Sequence, residues 1–242
     1  MRARSRRNVI GPEKAPFEKQ LGHIIGAAFI DLHEKHGVAF RFSTEVTAPE
    51  GDKNVRSVAL HSGERIPADL VVIGFGVAPA TGYADSLSRA GDGGILVDAS
   101  LQATEGLYAA GDIAHFPHRG DGTPIRVEHW RVAQQQGRVA ALNMLGHKIR
   151  YDAVPVFWTI QYLKRLDYVG HATGWDDIIV HGDLKKPEFI AYYVKDDHVV
   201  AAAGLNRDRD MAAVIELLTF RRRWRPAELG ETPARVLEQL PV

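Results

Sequence analysis

The stretch Leu107-Tyr108-Ala109-Ala110-Gly111-Asp112-Ile113, with Thr104 just ahead of it, decides how this chain of 242 residues reads. An apolar run suited to a buried strand stops abruptly at Gly-Asp. A glycine lets the backbone approach a ligand closely, and an aspartate at the carboxyl end of a strand accepts hydrogen bonds from ribityl or sugar hydroxyls. Downstream, Val127-Glu128-His129-Trp130-Arg131-Val132-Ala133-Gln134-Gln135-Gln136-Gly137-Arg138 predicts a helix beginning close to that strand end. Its free N–H groups and positive potential suit an electron-rich ring or a phosphate.

On the amino-terminal side, Phe17, Leu21, Ile24, Ile25, Ala28, Phe29 and Leu32 recur at helical spacing and Gly37 supplies a stop, which predicts a helix over 17–36. Strands are expected at 39–42, at 55–61 and in the apolar run Leu70-Val71-Val72-Ile73, with Ser62-Gly63-Glu64 as a hairpin turn. Asn8-Val9-Ile10 is strand-like. This order suits part of a nucleotide-binding α/β layer. Pro79-Ala80-Thr81-Gly82 reads as a crossing between layers, Gly91-Asp92-Gly93-Gly94 as a turn, and Ile95-Leu96-Val97 and 107–110 as strands. The helix is expected over 128–145. Gly137 inside it costs about 1 kcal/mol against alanine, which close packing on a strand or cofactor would explain.

Beyond Tyr151 the character changes. Strands are expected at 154–160, 178–180, 189–194 and 199–205, with Asp196-Asp197 as the turn between the last two. Asn206 or Asp208 is the expected cap of a helix carrying Met211, Val214, Ile215 and Leu218, and Thr232-Pro233 opens a last short one. This is an α+β arrangement. The expected organisation is therefore α/β: partial Rossmann-like nucleotide-binding domains at 1–78 and 79–150, followed by an α+β domain at 151–242.

Thirty basic and thirty acidic residues cancel, so charge gives no support for a nucleic-acid or membrane-surface partner, and no apolar run approaches a membrane span. The opening Met1-Arg2-Ala3-Arg4-Ser5-Arg6-Arg7 is too short for a transit peptide and reads as a solvated basic lead-in to a cytoplasmic protein. There is no cysteine, which excludes disulfides, thiolate metal sites and a dithiol redox pair in these residues. Any redox chemistry would rest on an organic cofactor.

Several stretches together carry a family resemblance: Pro16-Phe17-Glu18-Lys19-Gln20-Leu21-Gly22, Leu32-His33-Glu34-Lys35-His36-Gly37-Val38, Gly74-Phe75-Gly76-Val77-Ala78-Pro79, Tyr108-Ala109-Ala110-Gly111-Asp112, Glu128-His129-Trp130 and Val154-Pro155-Val156-Phe157-Trp158-Thr159. In this order they resemble the FAD-dependent pyridine nucleotide–disulfide oxidoreductases, in the apoptosis-inducing-factor-like and ferredoxin reductase branch. The family carries two Gly-x-Gly-x-x-Gly fingerprints, and neither occurs in this sequence: Gly74 and Gly76 lead to Pro79. The resemblance places the first FAD segment and the opening of the NAD domain ahead of Met1. The His-x-x-x-x-Glu pair of dithiol reductases is also missing, as in the Cys-free branch that hands on electrons singly.

The resemblance implies FAD and NAD(P)H as cofactors and a ferredoxin- or Rieske-type iron–sulfur protein as electron acceptor, with homodimerisation open. Asp112 would bind the ribityl–phosphate part of FAD, with Gly111 permitting backbone approach; the alternative is a solvated turn. Glu128, His129 and Trp130 would sit by the flavin ring, where a helix N-terminus stabilises charge developing on the reduced ring. Glu128 also comes near the nicotinamide in this reading. Ordinary packing at a helix start is the alternative for His129 and Trp130. Trp158 would reach the flavin from the last domain, although a strand tryptophan is more often core. Gly76 would let the chain pass close to NAD. Glu13, after the first strand, could bond ribose hydroxyls, but the strand-end position itself is Gly11, which leaves NAD against NADP open. His33 and His36 read as polar-face residues, His115 and His118 as solvated loop histidines, and Arg221-Arg222-Arg223-Trp224-Arg225 as a solvated end to a helix. The function expected is an NAD(P)H oxidoreductase present as its carboxyl-terminal part. The alternative is a non-catalytic fragment that acts as a packing or dimerisation module.

Overall fold

The computed structural model describes residues 6–186, 188–220, 224–230 and 232–238. The fold is α/β, and the chain divides into two compact units between Gly76 and Val77.

In the first unit a strand, helix and strand follow one another: β1 (Arg7–Ile10), α1 (Glu18–Glu34) and β2 (Val38–Arg41), with β1 and β2 parallel. The helix lies where the apolar period put it, and Leu21, Ile25 and Phe29 are its buried face. Ile24, expected on that face, is exposed, because it lies off the row that Ile25, Gly26 and Phe29 bury; the backbone leaves helical geometry once, at Gly22 (φ 78°). Phe17 opens the helix and its ring packs edge-on against Phe29 at 5.4 Å. A meander follows, β3 (Val46–Glu50), β4 (Ser57–Leu60) and β5 (Arg65–Pro67), antiparallel throughout. Val58, Leu60 and Ile66 form its small core. The expected strand at Leu70–Ile73 is absent: the segment is irregular, with Leu70, Val72, Ile73 and Phe75 exposed. Strand conformation needs a hydrogen-bonding neighbour, and no described strand pairs with this run.

The second unit opens with short elements: β6 (Ile95–Leu96), β7 (Gln102–Thr104), β8 (Leu107–Tyr108), β9 (Ala114–Pro117) and β10 (Pro124–Ile125). The strand β9 lies between β6, parallel to it, and β10, antiparallel. The strand expected over 107–110 is only two residues, paired with β7, and Leu107 is exposed. A 3-10 turn over Gly111–Ile113 then leads directly into β9. The helix α2 (Trp130–Met144) covers this sheet, packing Val132 and Ala140 against Leu101, Phe116, Ile125 and Tyr151. Buried Asn143 fixes its far end by donating to the carbonyls of Ser100 and Ile149 and accepting from the Ile149 N–H, all at 2.8 Å. Gly137 is exposed, with open space where a Cβ would stand, so no close packing accounts for it.

The carboxyl-terminal part is a five-stranded antiparallel sheet: β11 (Val156–Gln161), β12 (Lys164–Gly170), β13 (Asp177–Asp183), β14 (Glu188–Lys195) and β15 (His198–Leu205), in the order β11-β12-β15-β14-β13. Two-residue turns with positive φ close both the β11–β12 hairpin (Tyr162, Leu163) and the β14–β15 hairpin (Asp196, Asp197). The helices α3 (Asp208–Thr219) and α4 (Pro233–Glu238) follow, and Met211, Val214, Leu217 and Val236 join Ile190, Tyr192 and Val199 in one core. Neither Asn206 nor Asp208 caps α3. Arg207 holds the cap position without a side-chain bond, while the Asn206 carboxamide oxygen accepts from the Arg165 N–H at 3.2 Å. Trp224 is no solvated residue either: it is fully buried against Tyr192, ring centroids 5.1 Å apart. The arginines before it lie outside the described residues, as do residues 1–5 of the basic lead-in. The carbonyl of Thr219 near the end of α3 is instead taken by Arg119, which reaches it from the β9–β10 turn at 2.8 Å. Among the described residues no helix is long and apolar enough to cross a membrane, and no cluster of metal-ligating side chains occurs.

Candidate functional site

The 3-10 turn that ends the Leu107–Ile113 stretch sits against the first turns of α2. Gly111 is buried at φ 78°, and a Cβ there would stand 3.1 Å from the Cβ of Ala133. A glycine is required on both counts: left-handed backbone and close approach. Its N–H donates to the side-chain oxygen of Gln136 at 2.7 Å. Gln136 is fully buried, and its Nε2 finds no partner. Asp112, next in the chain, is exposed.

The helix α2 begins after His129, whose backbone is extended and whose side chain makes no capping bond. An uncapped first turn leaves N–H donors open to a ligand. His129 Nδ1 is buried without a partner. Burial lowers the pKa of this imidazole, the neighbouring Arg131 lowers it further, and Asp112 opposes both. The ring is therefore neutral at pH 7.

Three rings meet at this helix start. His129 lies 5.5 Å from Trp158 and 5.8 Å from Trp130, and the two indoles pack edge-on at 5.7 Å. Trp158 comes from β11 and is only half-buried, so it is not a core tryptophan of the sheet. The Arg165 guanidinium stands over its ring at 5.2 Å, held there by two bonds to Asp167, at 2.9 and 2.6 Å. The Trp130 ring is largely exposed. The three rings thus meet at the surface rather than in the sheet's core.

Glu128 is linked to Asp112 through Arg126, which donates to the Glu128 carboxylate at 2.6 Å and to the Asp112 carbonyl at 2.9 Å. Behind Arg126 stands Asp92, whose pKa the guanidinium depresses far below the usual carboxylate range, with Gly94 and His115 assisting. His115 and His118 are partly buried and paired: the first faces Asp92 at 2.9 Å and the second Asp121 at 3.1 Å.

The structure therefore brings together Gly111, Asp112, Glu128, His129, Trp130 and Trp158. Glu13 and Gly76 belong to the other unit. The Glu13 carboxylate lies just past β1, where a Cβ on Gly11 would touch it at 3.1 Å, and Gly76 is exposed in irregular chain at φ 83°. Gln136, Arg126, Asp92 and Arg165 escaped the sequence reading. Gln136 had a signal: it continues the buried face of Val132 and Ala140, a polar residue at a core position. Asp92 and Arg126 had none, because their partners are distant in the chain.

A family model described as pyridine nucleotide-disulphide oxidoreductase matches residues 4–137, more than half of the chain. The chain belongs to this family. A second model, reductase C-terminal, matches residues 156–240. Human apoptosis-inducing factor 3 is 36% identical over 92% of this chain and 38% of its own length. Putidaredoxin reductase of Pseudomonas putida is 33% identical over 86% of the chain and 50% of its own length. The solved putidaredoxin reductase–putidaredoxin complex superposes with a TM-score of 0.88 at 29% identity, over 96% of this chain and 58% of that one. The chain thus spans about half the length, or less, of the curated relatives it matches.

Proposed function

We propose that this chain is the carboxyl-terminal part of an FAD-dependent NAD(P)H oxidoreductase that passes electrons to a ferredoxin-type iron–sulfur protein. Residues 1–78 then contribute to the NAD(P) domain, 79–150 are the second segment of the FAD domain, and 151–242 are the reductase's last domain. The observation that carries the proposal is the convergence of the glycine-dependent turn at Gly111, the uncapped start of α2, and Trp158 from the next domain. The likeness to putidaredoxin reductase supports the iron–sulfur acceptor. A Rieske-type acceptor, homodimer pairing and a cytoplasmic setting belong to the same proposal.

The residues fit FAD at the uncapped start of α2, where the buried Nδ1 of His129 has no partner; Gly111 serves this by letting the turn pack directly on Ala133 of that helix. When bound, FAD supplies hydride acceptance from NAD(P)H and single-electron release. Asp112 would accept hydrogen bonds from ribityl hydroxyls, and the first N–H groups of α2 would face the electron-rich edge of the ring. Neutral His129 would donate or accept at Nδ1, and Trp130 and Trp158 would keep water from the ring. Glu13 and Gly76 would serve NAD(P)H in the other unit.

Asp112→Ala tests the assignment. In chain reconstituted with FAD, loss of a charge-assisted acceptor should weaken flavin retention by about tenfold or more. Equilibrium dialysis reads this directly, and unchanged retention would remove Asp112 from the site. The exposed apolar run Leu70, Val72, Ile73 and Phe75 favours a second reading, in which the chain is a non-catalytic module that packs on another polypeptide.

A further inference from the structure

Arg126 lies between β10 and α2 with a side chain only 13% exposed. Its Nε donates to Asp92 at 2.6 Å, and its Nη1 donates both to Glu128, at 2.6 Å, and to the Asp112 carbonyl, at 2.9 Å. Asp92 is itself tied down: its Oδ1 accepts from the Gly94 N–H at 3.0 Å and faces His115 Nε2 at 2.9 Å. The turn is closed tightly over this cluster. A Cβ on Gly94 would stand 2.9 Å from Arg126 Cδ and 2.6 Å from His115 Cδ2.

We infer that Arg126 is the positioning residue of the site, fixing the Asp112 carbonyl and the Glu128 carboxylate relative to one another before any ligand arrives, with Asp92 and His115 fixing Arg126 from behind. The role assigned to it rests on the flavin reading above; the clamp itself does not. The two cofactor-site residues come from segments separated by the β9–β10 hairpin, and no other described side chain bonds both. One planar guanidinium reaches three acceptors in different directions, which a lysine ammonium on its flexible stem does not reproduce. Pairing with Arg126 also fixes where the Glu128 carboxylate points. Glu128 therefore acts in the site as a held acceptor, with the Arg126 guanidinium shared between it and Asp92.

The clamp can be tested by amide hydrogen exchange on the flavin-free chain, comparing Arg126→Gln, Arg126→Lys and Asp92→Asn with the unmodified protein. Loss of hydrogen bonds to a charged group should speed exchange at the hydrogen-bonded amides of Ala114, His129 and Ala133 by about tenfold or more in Arg126→Gln. Arg126→Lys should recover part of this, and Asp92→Asn should speed the same amides while β14 and β15 stay unchanged. On FAD addition, Arg126→Gln should also weaken binding by about tenfold and alter the shape of the flavin band, with partial rescue by Arg126→Lys. Unchanged exchange at these amides would overturn the inference. So would a uniform rise across the second unit in Asp92→Asn, which decides the matter should Arg126→Gln fail to fold. Failure of the unmodified chain to bind FAD would count against the flavin reading and leave the exchange result to judge the clamp.

Discussion

Gly111→Val is expected to dismantle the turn at the centre of the candidate site. Two costs add. A side chain at φ 78° sits in the left-handed region, worth about 1–2 kcal/mol against an L-residue and more for a β-branched one. The new Cβ would also press on Ala133 of α2 at 3.1 Å, an overpacking worth about 1–3 kcal/mol because a helix backbone cannot easily retreat. The N–H bond to Gln136 is strained by the same displacement, leaving a buried acceptor unpaired. The sum is about 2–5 kcal/mol, readable as a lower midpoint in urea with local loss of exchange protection around 111–114. Gly111→Ala combined with Ala133→Gly should recover the packing part and leave the backbone part. If Gly111→Val were tolerated within about 0.5 kcal/mol, the turn would not be the constrained element described here.

Trp224→Ala is expected to cost the carboxyl-terminal domain about 3–5 kcal/mol, the range for emptying a buried tryptophan site. The ring is fully buried in the core that joins β14, β15, α3 and α4, edge-on to Tyr192 at 5.1 Å. Its Nε1 finds no hydrogen-bond partner, so Trp224→Phe loses volume but no hydrogen bond and should cost distinctly less. Urea denaturation followed by far-ultraviolet circular dichroism separates the two variants. Equal costs for Phe and Ala would mean that the indole holds the domain by something other than its volume.

The parts of this fold that were legible in the sequence are those whose cause is local. The Leu21-Ile25-Phe29 period and the Gly37 stop wrote α1, and Asp196-Asp197 and Ser62-Gly63-Glu64 wrote their hairpins. Other elements depend on partners far away in the chain. The strand β12 went unread because Lys164, Arg165 and Asp167 break its apolar run, and Asp167 is buried only because Arg165 pairs with it. The run Leu70–Ile73 read as a strand because composition reports a wish for burial, not who provides it. Trp224 was misplaced among its arginines for a similar reason: charge around a residue says little about the pocket it enters. In the site, Gly111, Asp112 and the helix start were readable as motif. Arg126, which joins them, was not, since nothing in Ile125-Arg126-Val127 points to Asp92.

On the proposed function, the turn at Gly111, the start of α2 and Trp158 form a flavin-facing surface. Titrating FAD into the chain, with the visible flavin band and tryptophan emission recorded together, tests it most directly. Saturable binding, a perturbed flavin band, and quenching that diminishes in Trp158→Phe are expected. Affinity should be modest, because these 242 residues carry no Gly-x-Gly-x-x-Gly turn to cradle the pyrophosphate. A flavin spectrum identical to that of free FAD, with emission unquenched at saturating concentration, would contradict it.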